Sequence, residues 1–322
     1  MYPELIRIPF IDWPIHGFGV MLVLGLLCAM ELARWMARRA GLDPDVFSNA
    51  ALLALVTGVV GARLSHVLEN LSVYTNPARS AWENLLDAVN LASGGLTYYG
   101  GFLLAVPAVV IYLRAKGMPV WRCADIVAPC VMVGLAFGRV GCFLNGCCFG
   151  QTCTQPWAVT FPYGSIPMQS QFHEGRLPVP GELVVVDDAG RPRLLPADEA
   201  LANPVTADIA RQSRSLPVHP AQLYSAAVAL LLAGLTFAHW TLTLPPAATP
   251  VDSGGGTTFA LMLVLEGISR FALELVRAEP AVALGMSLSM WLGLALAAAG
   301  VVLYLWRRPG TPPALSAPVP AA

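Results

Sequence analysis

Charge is what this chain has least of. Lysine and arginine number 19, aspartate and glutamate 20, in 322 residues, so only 12% of the chain is charged and the formal net charge is −1. A soluble globular chain carries about 25% charged residues. With 56% of its residues hydrophobic, the chain cannot cover a water-facing surface, and most of it must face lipid. The near-zero net charge leaves no general attraction to nucleic acid. No internal repeat recurs at a fixed period, which argues against a transporter of two inverted halves. The seven cysteines lack the short paired spacing of zinc motifs, so no metal is expected. No basic start and no clear cleavage site precede the first apolar stretch, which is also too long for a signal-peptide core, so it is read as a retained helix.

What is present is a series of apolar runs. A membrane helix needs roughly 20 mostly apolar residues, and such runs fall at about 17–36, 46–68, 95–114, 122–144, 219–240, 256–276 and 283–306. The expected fold is an all-α integral membrane protein of about seven transmembrane helices, forming one polytopic domain over 1–308. Basic residues set the orientation. Arg34, Arg38 and Arg39, then Arg114, Lys116 and Arg122, then Arg307 and Arg308 fall on one side if the N-terminus is outside and the C-terminus cytoplasmic. Residues 150–217 then form a small extracytoplasmic head, too short to be a separate enzyme. Within it Glu182-Leu183-Val184-Val185-Val186 followed by Asp187-Asp188-Ala189-Gly190 reads as a strand and a turn. Residues 244–256 read as a Pro/Gly linker and 309–322 as a disordered Pro/Ala tail.

Polar groups inside the apolar runs carry the functional signal. An arginine at a helix centre costs roughly 2.5–3.5 kcal/mol on insertion scales. Arg139 lies in Gly138-Arg139-Val140-Gly141-Cys142-Phe143-Leu144-Asn145-Gly146, where glycines allow close approach of a helix or a headgroup. Arg270 shares one helical face with Glu266, Glu274 and Arg277 at i, i+4, i+8 and i+11. Two roles are open to it: an ion pair with Glu266 or Glu274 that pins the bundle, or convergence with Arg139 on an anion. Guanidinium groups match phosphate oxygens bidentately, and the abundant phosphate in a membrane is a lipid headgroup. Arg63 is either a third such group or a snorkelling anchor. Tyr99, in Gly94-Gly95-Leu96-Thr97-Tyr98-Tyr99-Gly100-Gly101, belongs either to the interfacial aromatic belt or to a cavity. His219-Pro220-Ala221-Gln222-Leu223-Tyr224 opens a further span and groups three polar side chains at one membrane face.

The block around Arg139 resembles the glycine-arginine signature of prolipoprotein diacylglyceryl transferases. The blocks at Tyr99, at His219 and at Arg270 resemble three more of that family's motifs, in its order, and the likeness extends over about 16–308. The resemblance implies a multi-pass enzyme of the bacterial inner membrane that moves the diacylglyceryl group of phosphatidylglycerol to the lipobox cysteine of a prolipoprotein signal peptide. The product is a thioether, glycerol phosphate leaves, and no cofactor is used. It implies phospholipid binding at Arg139, Gly138, Asn145, Arg270 and Arg277, catalysis at Arg139, Arg270, Tyr99 and His219, and support from Glu274, Gln222 and Gly150. The chain departs from the family at Tyr99, which stands where a histidine is frequent. It departs again at Cys142 and Cys147, which stand for an asparagine and a glutamate, and at Phe18, which stands for a tyrosine. Such departures also suit a non-catalytic lipid- or lipoprotein-binding paralogue.

Cys142, Cys147, Cys148 and Cys153 cluster in sequence at the end of the fourth run. On an oxidising side of the membrane a disulfide from Cys147 or Cys148 to Cys153 is allowed. A membrane thiol oxidoreductase using the Cys142–Cys153 cluster is the reading from another class, and it leaves Arg139 and Arg270 unexplained.

Overall fold

The computed structural model describes residues 4–8, 13–75, 79–90, 94–95, 97–187, 190–244, 254–277 and 282–308. The expected tail at 309–322 and most of the 244–256 linker lie outside them. Strands β1 (Glu4–Ile8) and β2 (Trp13–His16) pair antiparallel ahead of α1 (Gly17–Arg39). Then follow α2 (Pro44–Glu69), the short α3 (Leu71–Tyr74) and α4 (Ala81–Val89), α5 (Tyr98–Ala115) and α6 (Val120–Asn145). The segment after α6 holds α7 (Ile166–His173), β3 (Val184–Val186), β4 (Pro192–Leu194), α8 (Ala197–Ala202) and α9 (Pro204–Gln212). Helices α10 (Ala221–Thr243), α11 (Thr257–Glu274) and α12 (Leu288–Arg307) complete the order.

A helix therefore stands at each apolar run. Five of them, α1, α2, α6, α10 and α12, are long and apolar enough to cross a membrane. Helix α5 is a shorter apolar helix, and α11 carries Glu266, Arg270 and Glu274 within 18 residues. The strand expected at 182–186 starts only at Val184, because Gly181–Leu183 closes a 3-10 turn. Two compact units form: Met1–Ala29 with Ala128–Thr241 and Thr257–Ala322, and Met30–Val127 with Leu242–Gly256.

In the first unit, glycines bring helices into backbone contact, the usual device where lipid removes the hydrophobic drive for helix association. A Cβ on Gly267 would stand 2.5 Å from Gly293 O and 2.6 Å from Ala297 N, so α11 and α12 touch main chain to main chain. Gly25 of α1 faces Phe137 of α6, and Gly141 of α6 faces Phe18 and Met21. The segment between α6 and α10 is folded, with its own core of Tyr163, Met168, Leu183, Leu194, Ala200 and Ala210. The Tyr163 hydroxyl donates to Leu195 O at 2.8 Å, tying the helical and strand parts of that segment together.

In the second unit α2 and α5 pack through Gly58, Gly61, Gly100 and Gly101. Here the snorkelling expectation for Arg63 is corrected. Its side chain is 5% exposed and its donors go to main-chain carbonyls: Nε to Ala88 (2.8 Å), Nη1 to Gly94 (2.5 Å) and Gly95 (3.1 Å), Nη2 to Asp87 (2.6 Å). Asp87 and Ala88 lie in the last turn of α4, where helical carbonyls lack intrahelical partners. Gly94 and Gly95 turn their carbonyls inward at φ of 77° and 72°, a region open to glycine. Arg63 is thus the cap of α4 and the tie to α5. Its replacement by leucine strands these carbonyls and is expected to lower stability by on the order of 3 kcal/mol. Lysine, with one compact ammonium, should restore only part of it. Thermal unfolding in detergent checks this; an unchanged Tm for Arg63→Leu would contradict the role.

Candidate functional site

The first unit contains a small cavity of about 20 Å³ lined by Leu135, Arg139, Ser225, Val228, Glu266, Ser269, Arg270, Leu273, Glu274 and Arg277. Its walls are α6, α10 and α11. Three guanidinium groups thus meet two carboxylates in one enclosure between apolar helices. The face predicted for Arg270 is realised, but Arg277 reaches it differently. Helix α11 ends at Glu274, and a tight turn with Arg277 N donating to Glu274 O at 3.0 Å carries Arg277 back to the cavity.

The ion pairing inside the cavity separates the arginines by role. Glu274, 6% exposed, accepts from Ser287 Oγ at 3.0 Å and lies 3.6 Å from Arg277 Nη1. Arg270 Nη2 donates to Ser289 Oγ at 3.2 Å, so its hydrogen bond goes to α12 rather than to Glu274. Glu266 accepts from Ser269 Oγ at 3.3 Å. Arg139 makes no hydrogen bond or close ion pair among the described residues, and its charge acts on Glu266 across the cavity. Ser287 and Ser289 were not singled out in the sequence. Ser287 is the N-cap of α12, accepting from Met290 N at 3.3 Å, and a serine just before an apolar run is the signal that could have found it.

Other expected residues sit beside the cavity without lining it. Gly138 faces α1, where a Cβ would meet only Leu22 at 4.0 Å. Asn145 is exposed at the end of α6. Gly150 pairs with Arg277 in an isolated bridge, and its N–H donates to His219 O at 3.0 Å. Gln151 N donates to Val276 O at 2.9 Å, so this segment joins the end of α11 to the start of α10. Gln222, 1% exposed, donates from Nε2 to Cys147 O at 2.7 Å. His219 Nδ1 is 3.3 Å from the Tyr224 hydroxyl. Tyr99 lies at the start of α5, half exposed, in the other unit.

The cysteine expectation is corrected in its membership. All seven cysteines are free thiols. The thiols that converge are Cys142, Cys147 and Cys148, all within 4.8 Å of one another, whereas Cys153 runs in extended chain with its N–H on Pro217 O at 3.0 Å. The cause is the end of α6. Gly146 (φ 79°) closes the helix, its N–H donating to Cys142 O at 2.8 Å, and Cys147 N follows at 3.2 Å. Cys148 then takes φ 58°, which is costly for a residue other than glycine. Hydrogen bonds from the Cys142 and Cys147 thiols, then the fields of Arg277 and Arg139, hold the Cys148 thiol well below the usual thiol range.

A family model described as prolipoprotein diacylglyceryl transferase matches residues 3–306. A phosphatidylglycerol–prolipoprotein diacylglyceryl transferase of Rhodopirellula baltica is 32% identical over 360 residues, covering 91% of this chain and 73% of its own. Proteins of the same name from Paraburkholderia phymatum and Chromobacterium violaceum are each 29% identical. The first covers 95% of this chain and 94% of its own, the second 91% of each.

The Gly150 contact is the most confined in this region. A Cβ there would stand 2.7 Å from both His219 Cβ and Val276 O. Gly150→Ala is expected to force the bridge to Arg277 apart and cost about 1–3 kcal/mol. Thermal unfolding of the purified variant measures it, and a Tm equal to that of the parent would count against the contact.

Proposed function

The chain belongs to the prolipoprotein diacylglyceryl transferase family, and we propose that the arginine-lined cavity is where that family's reaction takes place in this protein. The reaction moves the diacylglyceryl group of phosphatidylglycerol to the cysteine thiol of a prolipoprotein. A carbon–sulfur bond forms, the carbon–oxygen bond to phosphate breaks, and glycerol phosphate leaves.

The observation that carries this assignment is Arg139, a guanidinium with no hydrogen bond among the described residues, facing a cavity that Arg270 and Arg277 also line. An arginine on an apolar helix is retained only where something compensates its charge, and a lipid phosphate supplies the matching geometry. Arg139 and Arg270 then hold the phosphate and stabilise the charge that grows on the leaving glycerol phosphate. Arg277, paired with Glu274, keeps the field positive while remaining fixed in place. The acceptor must react as thiolate. His219, hydrogen-bonded to Tyr224, is the candidate within this unit to carry its proton away, and Gly138, Asn145, Gln222 and Gly150 shape the surroundings.

The protein is a multi-pass bacterial membrane protein. Its finer placement is part of the proposal: seven crossings that include α5 and α11, the inner membrane, the N-terminus and head outside, and the C-terminus cytoplasmic. The basic residues Arg38, Arg39, Arg114, Lys116 and Arg307 support that orientation, as does a lipobox cysteine that has to be met on the outer side.

Arg139→Ala is expected to reduce transfer from labelled phosphatidylglycerol to a lipobox peptide by roughly 100-fold or more. Arg139→Lys should recover a minor fraction, because a point charge replaces a fork. The parent, but not Arg139→Ala, should sustain a strain depleted of its own transferase. Normal transfer by Arg139→Ala in the purified assay would dismiss the phosphate role.

A further inference from the structure

We propose that Cys142, Cys147 and Cys148 form a three-thiolate site for a thiophilic divalent cation, zinc by its chemistry, whose open fourth position takes the acceptor cysteine. This rests on the transferase reading, and gives it a group that turns the acceptor thiol into thiolate before His219 takes up the proton. Glu274 is held by Ser287 and Arg277, and Glu266 accepts from Ser269, so both carboxylates lining the cavity already have donors of their own.

The geometry favours a metal over a simple thiol pair. Three sulfur atoms lie mutually within 4.8 Å, and a zinc–sulfur bond of about 2.3 Å places tetrahedral sulfur ligands roughly 3.8 Å apart, so small rotamer adjustments close the site. Three protein ligands with an open position is the pattern of a catalytic zinc, whereas a structural site is filled by four. The backbone brings the thiols together at a cost, since Cys148 holds φ 58°, and conformations of that kind persist where the surroundings over-determine them. Gln222 provides part of that constraint. Its buried amide holds the Cys147 carbonyl at 2.7 Å, and its Oε1 has no partner among the described residues. Three thiolates with a divalent ion carry one net negative charge. Arg139, one helical turn before Cys142 on α6, and Arg277, bridged to Gly150, stand where cations offset it.

The chemistry balances without an oxidant. The acceptor thiol binds as the fourth ligand and gives up its proton, with His219 as the carrier, because a thiol on a metal ion is deprotonated. The bound thiolate attacks the diacylglyceryl carbon. The carbon–oxygen electron pair departs with glycerol phosphate held at Arg139 and Arg270. The resulting thioether is neutral and a weak donor, so it leaves the ion, whose oxidation state never changes.

The test uses the full chain in detergent with reductant. Zinc should bind at one equivalent per chain by elemental analysis and mask three of the seven thiols until a chelator removes it. Cobalt(II) in its place should show thiolate charge-transfer bands. A lipobox peptide should shift the cobalt bands, and its Cys→Ser version should not. Metal removal should slow transfer by roughly 30-fold near pH 7, the ratio of full to few-per-cent thiolate, and zinc should restore it. Cys147→Ser should lose the metal and Cys153→Ser should keep it. Full-rate transfer by metal-free protein, or cobalt bands without thiolate character, overturns the site and leaves the transferase reading intact. So does a disulfide among the three cysteines in protein active without metal. Zinc and peptide binding with no diacylglyceryl transfer under any condition supports the metal site and sinks the transferase reading instead.

Discussion

A guanidinium on an apolar helix has to find its counter-groups within the protein or its ligand, and the described arrangement follows from how each arginine meets that demand. Arg63 meets it with main-chain carbonyls and the face of the Tyr74 ring. Arg277 meets it with Glu274, and Arg270 with Ser289. Arg139, unlike these, faces open cavity. The same residue type therefore serves as a helix cap, a fixed ion pair and a charge facing the cavity, and the difference lies in which acceptors come within reach.

Close helix packing sets those acceptors in place. Because Gly267 and Gly293 bring α11 and α12 into main-chain contact, serine side chains at the start of α12 are long enough to reach Arg270 and Glu274. A Cβ at the crossing would separate the helices and leave both charges to each other or to lipid. The N-cap at Ser287 has a double duty, satisfying Met290 N and holding Glu274. Fold and site share these bonds, so changes at the crossing are felt in the cavity.

The end of α6 gathers the other chemistry. Within a few residues the chain passes Arg139, closes the helix at Gly146, folds two thiols back onto Cys142, and enters the Gly150 bridge to Arg277. Gln222 at the start of α10 fastens this turn through the Cys147 carbonyl. The arginine-lined cavity and the thiol cluster are thereby linked, because Arg139 and Arg277 line the one and act electrostatically on Cys148 of the other.

The amino-acid sequence by itself determined the positions of the apolar helices and the shared face of Glu266, Arg270 and Glu274. Apolar length and the 3.6-residue period are properties of neighbouring residues and need no tertiary knowledge. The family likeness, too, was legible in four ordered blocks. Only the tertiary structure decided that Arg63 is consumed by carbonyls, that Ser287 and Ser289 hold Glu274 and Arg270, and that Cys148 rather than Cys153 joins the thiol cluster. Each of these depends on a partner from another element or on a left-handed turn. Hydrogen-bond satisfaction is settled by the groups that arrive through space, and sequence spacing beyond a single helix does not encode who arrives.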